Sequence, residues 1–394
     1  MSKSILVLGR QPELGLAELE SLYGVDTISL VNPHVALLDQ PIESISFSRL
    51  GGSTRLGRVL AEVPGKMWKD VEKELVRLLP GLATALPEGK IRLGLSAIGI
   101  PVTPQKLMAS GLTLKKVLRN KTGRSIRLVP NTEPELNAAQ ILHNQLTGQT
   151  GIEVLVIATS AGNTLLAQTT AIQDIDAYAE RDRGRPKRDA RVGMLPPKLA
   201  QVIINLANPT PGGVVLDPFC GTGVILQEAL LAGYEVYGTD LEPRMAEYTT
   251  ANMEWLTGKN YPGVTGNYRV EQGDATDFQW TQPIDAVAGE TYLGRPFTDK
   301  PAPEILAQTV SEVNLILKKF MKNIYGQLAP GTPLCLAVPA WHITPGTFKH
   351  LPLIDQLEEL GYNRTRFEHV RDEQLLYYRE DQTVARELLV LTRK

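Results

Sequence analysis

Cysteine is almost absent, since the 394 residues contain only Cys220 and Cys335. Two cysteines are too few for a disulfide framework or for a zinc site built from cysteine ligands. We therefore expect no metal, and a reducing compartment such as the cytoplasm fits this composition.

Long apolar runs and a charge of one sign are also missing. No stretch of about 18 apolar residues occurs, so no segment is expected to span a membrane. The apolar stretch that ends at Leu8 is too short for a signal peptide. Lys and Arg total 41 and Asp and Glu 43, for a net charge of −2. This balance excludes a global basic field, so a nucleic-acid partner would need locally concentrated positive charge.

The most informative stretch is Val214-Val215-Leu216-Asp217-Pro218-Phe219-Cys220-Gly221-Thr222-Gly223. Its apolar start predicts a buried strand, its glycines a tight turn, and the helical spacing of residues 224–232 a helix. A glycine turn between strand and helix lets a ligand approach the backbone. Strands and helices alternate downstream, which predicts an α/β fold with helices on both faces of a parallel sheet.

Acidic residues follow three successive predicted strands, at Asp217, Asp240 and Asp274. Leu226 stands where the dinucleotide fingerprint has its third glycine, so a dinucleotide is disfavoured. Three carboxylates suit a cationic amino-acid group, ribose hydroxyls facing Asp240 and an adenine amine facing Asp274. S-adenosylmethionine (SAM) carries all three groups. The alternative is that these aspartates only cap helices.

The stretch 217–223 resembles motif I of the class I SAM-dependent RNA methyltransferases, and the chain is similar to the THUMP-containing tRNA guanine-N2 methyltransferases. Residues 185–189, 193–200, 375–379 and 386–391 support the resemblance. It implies a C-terminal Rossmann-like domain with a seven-stranded sheet, preceded by N-terminal α/β and THUMP-like RNA-binding modules. The expected boundaries are 1–88 for the N-terminal domain, 89–172 for the THUMP-like domain, 173–193 for a basic linker and 194–394 for the methyltransferase domain.

The cofactor would lie around the glycine turn. The residues before the helix at 197 are included by family resemblance, although packing alone would explain them equally well. The predicted cofactor-binding residues are Met194, Leu195, Pro196, Asp217, Pro218, Phe219, Gly221, Thr222, Gly223, Asp240, Leu241, Gly273, Asp274, Ala275 and Glu290.

The predicted catalytic segment is Glu290-Thr291-Tyr292-Leu293. Methylases of exocyclic amines resemble one another here, with Asp, Asn or Ser, then two prolines, then an aromatic residue. This chain lacks both prolines, and its aromatic residue comes one place early. We predict that Glu290 accepts the amine N–H and that Tyr292 stacks on the base. His342, after the fifth strand, is an alternative proton acceptor.

Positive charge concentrates in one part of the N-terminal half, where no acid interrupts it. Such local density suits a phosphate backbone; the alternative is a solvated helix end, where cations complement the helix dipole. Arg295 could also hold a phosphate or stack on a base, or else pair with Asp299. The predicted RNA-binding residues are Lys115, Lys116, Arg119, Lys121, Arg124, Arg127 and Arg295.

The linker is basic too, and two interpretations stay open for it. From residue 181 onward its arginines and lysines outnumber Asp182 and Asp189. They could lie beside bound RNA, or they could form solvated pairs with those two acids.

Around the N-terminus the pattern predicts strands at residues 4–8, 31–38 and 44–50 and a helix at 67–79. Together these features predict a SAM-dependent RNA methyltransferase, acting on the N2 amine of a guanine in tRNA. One alternative is a protein that binds SAM and RNA without transferring a methyl group. Another is an N-methyltransferase of DNA or protein.

Overall fold

The computed structural model describes residues 3–189, 194–258, 261, 264, 266–297, 300–344 and 346–394. The chain divides into two compact units. The first comprises Met1–Pro12, Asp26–Ser48 and Ser53–Ile175, and the second Glu13–Val25, Arg49–Gly52 and Asp176–Lys394. The second unit therefore takes two short segments from the N-terminal part of the sequence.

The first unit is built on one eight-stranded sheet with helices packed against it. The strands are β1 (Ser4–Leu8), β2 (Ile28–Asn32), β3 (Val35–Leu38), β4 (Ser53–Val63), β5 (Ile91–Ile98), β6 (Ile126–Leu128), β7 (Gly151–Ala158) and β8 (Thr164–Ile172). Their order is β2-β3-β1-β4-β8-β7-β5-β6. The helices in this part of the sequence are α1 (Pro12–Tyr23), α2 (Trp68–Ala85), α3 (Pro104–Thr122) and α4 (Ala138–His143).

Strand β4 was not expected from the sequence, and it pairs with both β1 and β8. It joins strands from both sides of residue 88 into one sheet. The domain boundary expected at residues 88–89 stays a prediction. The strand predicted at 44–50 was wrong, because this stretch forms short 3-10 turns. The strand predicted at 31–38 is a hairpin of β2 and β3, since the Asn32 side chain accepts the His34 N–H at 2.9 Å and turns the chain.

The second unit contains a nine-stranded sheet. Its strands are β9 (Val214–Asp217), β10 (Glu235–Asp240), β11 (Tyr268–Gln272), β12 (Ala286–Glu290), β13 (Pro333–Thr344), β14 (Thr347–Lys349), β15 (Tyr362–Arg364), β16 (Leu376–Tyr377) and β17 (Val384–Arg393). The main path is β11-β10-β9-β12-β13-β17-β15, with β14 on β13 and β16 on β17. The first five strands are parallel, and β17 is antiparallel to both its neighbours on the path.

Strand order reverses between the adjacent strands β9 and β12. From β9 the chain continues outward to β10 and β11 on one side, and from β12 it continues to β13 on the other. Ligands in such open sheets bind beyond the carboxyl ends of the strands at this switch point. The helices of this part are α5 (Ile175–Ala179), α6 (Pro197–Ala207), α7 (Val224–Leu231), α8 (Pro243–Gly258) and α9 (Pro303–Tyr325). None of the helices in the described ranges is long and apolar enough to cross a bilayer.

The chain before α6 packs against the second unit through buried polar contacts. The Arg181 guanidinium donates to both carboxylate oxygens of Glu228, at 2.6 and 3.3 Å. Gln201 also donates to Glu228, at 2.9 Å, and Asp189 accepts from Arg244 at 2.8 Å. Arg185 is buried as well. Neither reading of a solvated or RNA-facing linker therefore holds for these side chains. Arg191 lies outside the described residues.

Within the second unit, a buried carboxylate ties helix α1 to two other segments. Glu18 accepts the N–H groups of Gly51 and Gly52, each at 2.9 Å, and the Asn205 amide at 2.8 Å. Burial raises the pKa of this carboxyl from 4.5 to about 7, against the lowering effect of its hydrogen bonds. The folded state therefore holds a proton that the unfolded chain has already lost.

This raised pKa predicts a pH-dependent stability. Below pH 4.5 both states are protonated and the contribution of Glu18 is complete; it is lost as the pH rises towards 7. The free energy of unfolding of the wild type, minus that of Glu18→Gln, should fall by about 3 kcal/mol across this range. Urea denaturation from pH 4.5 to 8 measures both proteins. Parallel pH curves would contradict the buried, titrating carboxylate.

Candidate active site

The turn after β9 needs its glycines. Gly221 and Gly223 have φ of +53° and +80°, in the left-handed region that disfavours side chains. A Cβ at Gly223 would lie 2.8 Å from Cγ2 of Thr249. The Thr249 hydroxyl donates to the Gly221 carbonyl at 2.8 Å, so helix α8 holds the turn in place.

Asp217, the last residue of β9, is 2 % exposed. Among the described residues its only hydrogen bond comes from the Phe219 N–H, at 3.2 Å. Burial raises the pKa of this carboxyl well above its usual range, and the negative charges of Asp240 and Glu290 add to the effect. A Cβ at Gly289 would lie 2.6 Å from Asp217 Oδ1. The arrangement leaves a buried carboxylate with spare acceptor capacity, which suits a cationic ligand group.

Asp240 ends β10, and both of its oxygens bind the backbone. Oδ2 accepts the Gly221 N–H at 2.9 Å and Oδ1 the Glu242 N–H at 3.0 Å. Burial raises its pKa. Each oxygen retains acceptor capacity for a ligand hydroxyl. The following side chain, Leu241, is 60 % exposed and presents an apolar surface.

The third acid, Asp274, follows β11 and is partly exposed. Its Oδ1 accepts the Thr276 N–H at 2.9 Å, as a turn-capping aspartate does. The Gly273 N–H donates to the Asp240 carbonyl at 2.9 Å, which joins the second and third acidic segments. Ala275 is buried beneath them. The structure thus brings all three predicted acids to the same edge of one sheet.

The remaining predicted cofactor residues differ in exposure. Leu195 and Pro218 are buried, whereas Met194, Pro196 and Thr222 are partly exposed. The Phe219 ring packs edge-on against Phe320 with ring centroids 5.1 Å apart.

Sequence reasoning missed Asn252 of helix α8. Its amide donates to the carbonyls of Thr222 and Lys187, at 2.8 and 2.9 Å, and its oxygen accepts the Lys187 N–H at 2.9 Å. Asn252 therefore connects the glycine turn to the segment before α6. A single asparagine on a predicted helix carries no signal for such a role.

The segment after β12 is anchored without prolines. Thr291 is buried, and both its N–H and its hydroxyl donate to the Ala337 carbonyl, at 3.0 and 3.2 Å. Gly294 turns the chain with φ of +87°, and a Cβ there would lie 2.8 Å from Cγ2 of Thr309. Tyr292 between them is 44 % exposed, so its ring is available to a substrate.

Glu290, the last residue of β12, forms an ion pair that the sequence did not suggest. Arg386 of β17 donates from Nε to Glu290 Oε1 at 2.5 Å. The Arg386 and Glu290 side chains are 8 % and 15 % exposed, respectively. Burial raises the pKa of the Glu290 carboxyl, while Arg386 acts in the opposite direction. Because 96 residues separate the partners, no local pattern could indicate the pair. The one sequence signal for Arg386 was its position in the stretch 386–391, which supports the family resemblance.

Two other residues considered near this site make local contacts. Arg295 donates to the Thr309 hydroxyl at 3.3 Å and the Ile305 carbonyl at 3.4 Å, and its guanidinium lies over the Phe297 ring. Asp299, its alternative partner, lies outside the described residues. His342 stacks on Phe348 with ring centroids 4.9 Å apart.

The predicted RNA-binding residues of the first unit divide into two groups. Arg124 donates from its guanidinium to carbonyls at the end of α2, including Ala83 at 3.1 Å and Gly89 at 2.8 Å. Leu86 and Pro87 supply two further carbonyls. This cation therefore caps a helix C-terminus. Lys115 is partly exposed, and the exposed ones are Lys116, Arg119, Lys121 and Arg127.

The comparisons with known proteins now bear on this geometry. Residues 185–323 match the family UPF0020, the RMKL-like methyltransferase domain. All three strand-end acids and Glu290 lie within the matched residues. Over its whole length the chain has the fold of TrmN from Thermus thermophilus, with a TM-score of 0.53, 18 % identity and 100 % of both chains covered. The main path of the second sheet agrees with the expected seven strands, and β14 and β16 are additions.

Two relatives are similar to parts of the chain. The tRNA (guanine(10)-N2)-dimethyltransferase of Methanothermobacter thermautotrophicus is 35 % identical over 148 residues, 37 % of this chain and 39 % of its own. The protein of the same name from Methanocaldococcus jannaschii is 36 % identical over 102 residues, 26 % of this chain and 29 % of its own. The matched part of the chain thus spans well under two thirds of either relative.

The capping role of Arg124 is testable by substitution. Arg124→Gln should lower the free energy of unfolding of the first unit by about 1–3 kcal/mol, because four carbonyls lose a charged donor. Arg119→Gln, in the last turn of α3, is the matched control. Its free energy of unfolding should stay within about 0.5 kcal/mol of that of the wild type. Thermal unfolding followed by circular dichroism measures both. Equal stability of the two variants would rule out the cap.

Proposed function

We propose that this protein is a SAM-dependent tRNA methyltransferase that modifies the N2 amine of a guanine. One observation carries the proposal. The strand that ends in the predicted acceptor Glu290 passes so close to Asp217 that a Cβ at Gly289 would lie 2.6 Å from its carboxylate. The proposed acceptor of the amine and the proposed cradle of the cofactor are therefore neighbours, and the names of the two relatives support tRNA as the substrate.

The residues present fit SAM, whose sulfonium supplies an electrophilic methyl group. Asp217 would neutralise the ammonium of the methionine part, because it is buried with one backbone partner. Asp240 would accept ribose hydroxyls, and Asp274 the adenine amine. Leu241, exposed beside Asp240, would cover the adenine ring. SAM carries no phosphate, which agrees with a sheet edge that is lined by carboxylates rather than by cations.

The exocyclic amine of guanine is a weak nucleophile because its lone pair is delocalised into the ring. Glu290 would accept an N–H of this amine, localise the lone pair on nitrogen and take the proton after transfer. Tyr292 would stack on the flipped base. Thr291, anchored at Ala337, would do what prolines do in related segments and keep the acceptor in place. Positioning matters because a misplacement of about 1 Å can cost about a hundredfold in rate.

The exposed cations of the first unit would bind the tRNA backbone. Lys116, Arg119, Lys121 and Arg127 retain the role proposed from the sequence, as does the partly exposed Lys115. Arg124 contributes to stability instead. A tRNA substrate implies a cytoplasmic enzyme, which agrees with the two free, buried cysteines.

Purified protein, labelled SAM and a pool of tRNA transcripts test the proposal, with nucleoside mass spectrometry of the product. We expect N2-methylated guanosine, and Glu290→Ala should lower kcat at least a hundredfold, because the acceptor of the amine proton is removed. Glu312→Ala, an exposed change on α9, serves as the control. SAM binding without incorporation into tRNA would favour a binding protein, and incorporation only into DNA or protein would favour the other acceptors.

The cofactor cradle has its own test. Gly289→Ala should weaken SAM binding at least tenfold, since the added methyl group would displace the Asp217 carboxylate. Gly326→Ala is the matched control, because a Cβ there meets no atom within 4 Å. Isothermal titration calorimetry measures both dissociation constants. An unchanged affinity in Gly289→Ala would show that Asp217 does not receive the cofactor.

A further inference from the structure

We infer that Arg386 is the positioning residue of the reaction: it opposes the protonation of Glu290 and holds it in one orientation, so that its second carboxylate oxygen can accept the substrate amine. This inference rests on the proposed function. It concerns a residue of the last strand, far in sequence from the segment that resembles the family's catalytic motif.

The sheet brings the two side chains together across an intervening strand. Glu290 lies opposite Ala337 of β13, and Ala337 lies opposite Leu388 of β17. Arg386 is two residues from Leu388 and so shares its face of the sheet. The small side chain of Ala337 leaves room for the arginine to reach over β13 to Glu290.

The pair leaves half of the carboxylate free. Arg386 donates to Oε1 only, and Oε2 has no hydrogen bond from the part of the chain that the structure describes. A glutamate has one more rotatable bond than the aspartate or asparagine usual at this position. Its restraint by a charged hydrogen bond compensates for that freedom, because such bonds are short and directional.

The charges around Glu290 explain why a cation is needed. Asp217 of β9 and, beyond it, Asp240 of β10 place negative charge on the same edge. Burial favours a protonated Glu290, which could no longer take up a proton on that oxygen. Arg386 supplies the opposing charge. The neighbouring Glu387 faces away, since it pairs with His350 at 2.6 Å.

In the transfer step the amine nitrogen forms a bond to the methyl carbon as the carbon–sulfur bond breaks, and sulfur keeps that electron pair as a neutral thioether. The surplus N–H proton passes to Glu290 Oε2 and then to solvent. Arg386 keeps its own proton throughout and touches neither methyl group nor nitrogen. Its contribution is therefore to the ionisation and geometry of Glu290.

The experiment compares Arg386→Gln, Arg386→Lys, Glu290→Gln and the Glu290→Gln/Arg386→Gln double variant in the tRNA assay from pH 5.5 to 9. Arg386→Gln should lower kcat at neutral pH at least thirtyfold and move the acidic limb of the profile upward by at least one pH unit. Arg386→Lys should restore part of the rate and return the limb towards the wild type. The double variant should be no slower than Glu290→Gln alone, because the pair acts as one unit.

SAM affinity by calorimetry reports folding in each variant, and the double variant, which has no buried charge left unpaired, remains informative if Arg386→Gln is unstable. If the wild type is active and the acidic limb of Arg386→Gln is not shifted, the role of Arg386 is overturned while the proposed function stands. Equal losses in the glutamine and lysine variants, or a double variant with additive losses, overturn it as well. A wild type that binds SAM but methylates no tRNA overturns the proposed function, and this role with it.

Discussion

The candidate site of the second unit depends on carboxylates that are gathered, largely out of solvent, at one edge of a sheet. Asp217, Asp240 and Glu290 all lie where burial raises their pKa, and the charges of Asp240 and Glu290 raise that of Asp217 further. Desolvated charges of one sign are expensive unless cations or hydrogen-bond donors meet them. Backbone N–H groups donate hydrogen bonds to Asp240, and Arg386 forms an ion pair with Glu290. Asp217 keeps spare capacity, and that asymmetry is what makes the edge a candidate for a cationic ligand.

The backbone around these acids is arranged so that little else can occupy the space. Gly223 lies against Thr249, and Gly289 lies against the Asp217 carboxylate, each too close for a side chain. Asn252 and Thr291 then fix the two loops that border the site, through bonds to Thr222 and Ala337. Positioning by hydrogen bonds replaces the rigidity that proline gives to related segments.

Arginines in this chain take three different roles that composition cannot separate. Arg181 is buried against Glu228, Arg124 ends a helix of the first unit, and Arg386 meets the acceptor of the proposed active site. Exposed cations such as Lys116 and Arg119 are the ones proposed to contact the RNA backbone. A guanidinium offers five donors in one plane, so it can satisfy several carbonyls or one carboxylate equally well. Which role it takes depends on the neighbours that the fold supplies.

The sequence by itself determined the local features of the second unit: the strand, glycine turn and helix at 214–231, and the acids at 217, 240 and 274. These are predictable because hydrophobic period, glycine and strand-end polarity act over a few residues. Only the tertiary structure decided that β4 joins the first unit into one sheet, that Thr291 anchors the catalytic segment, and that Arg386 pairs with Glu290. Such contacts depend on strand order and register, which bring together residues as far apart as 96 positions, and no local pattern encodes that distance.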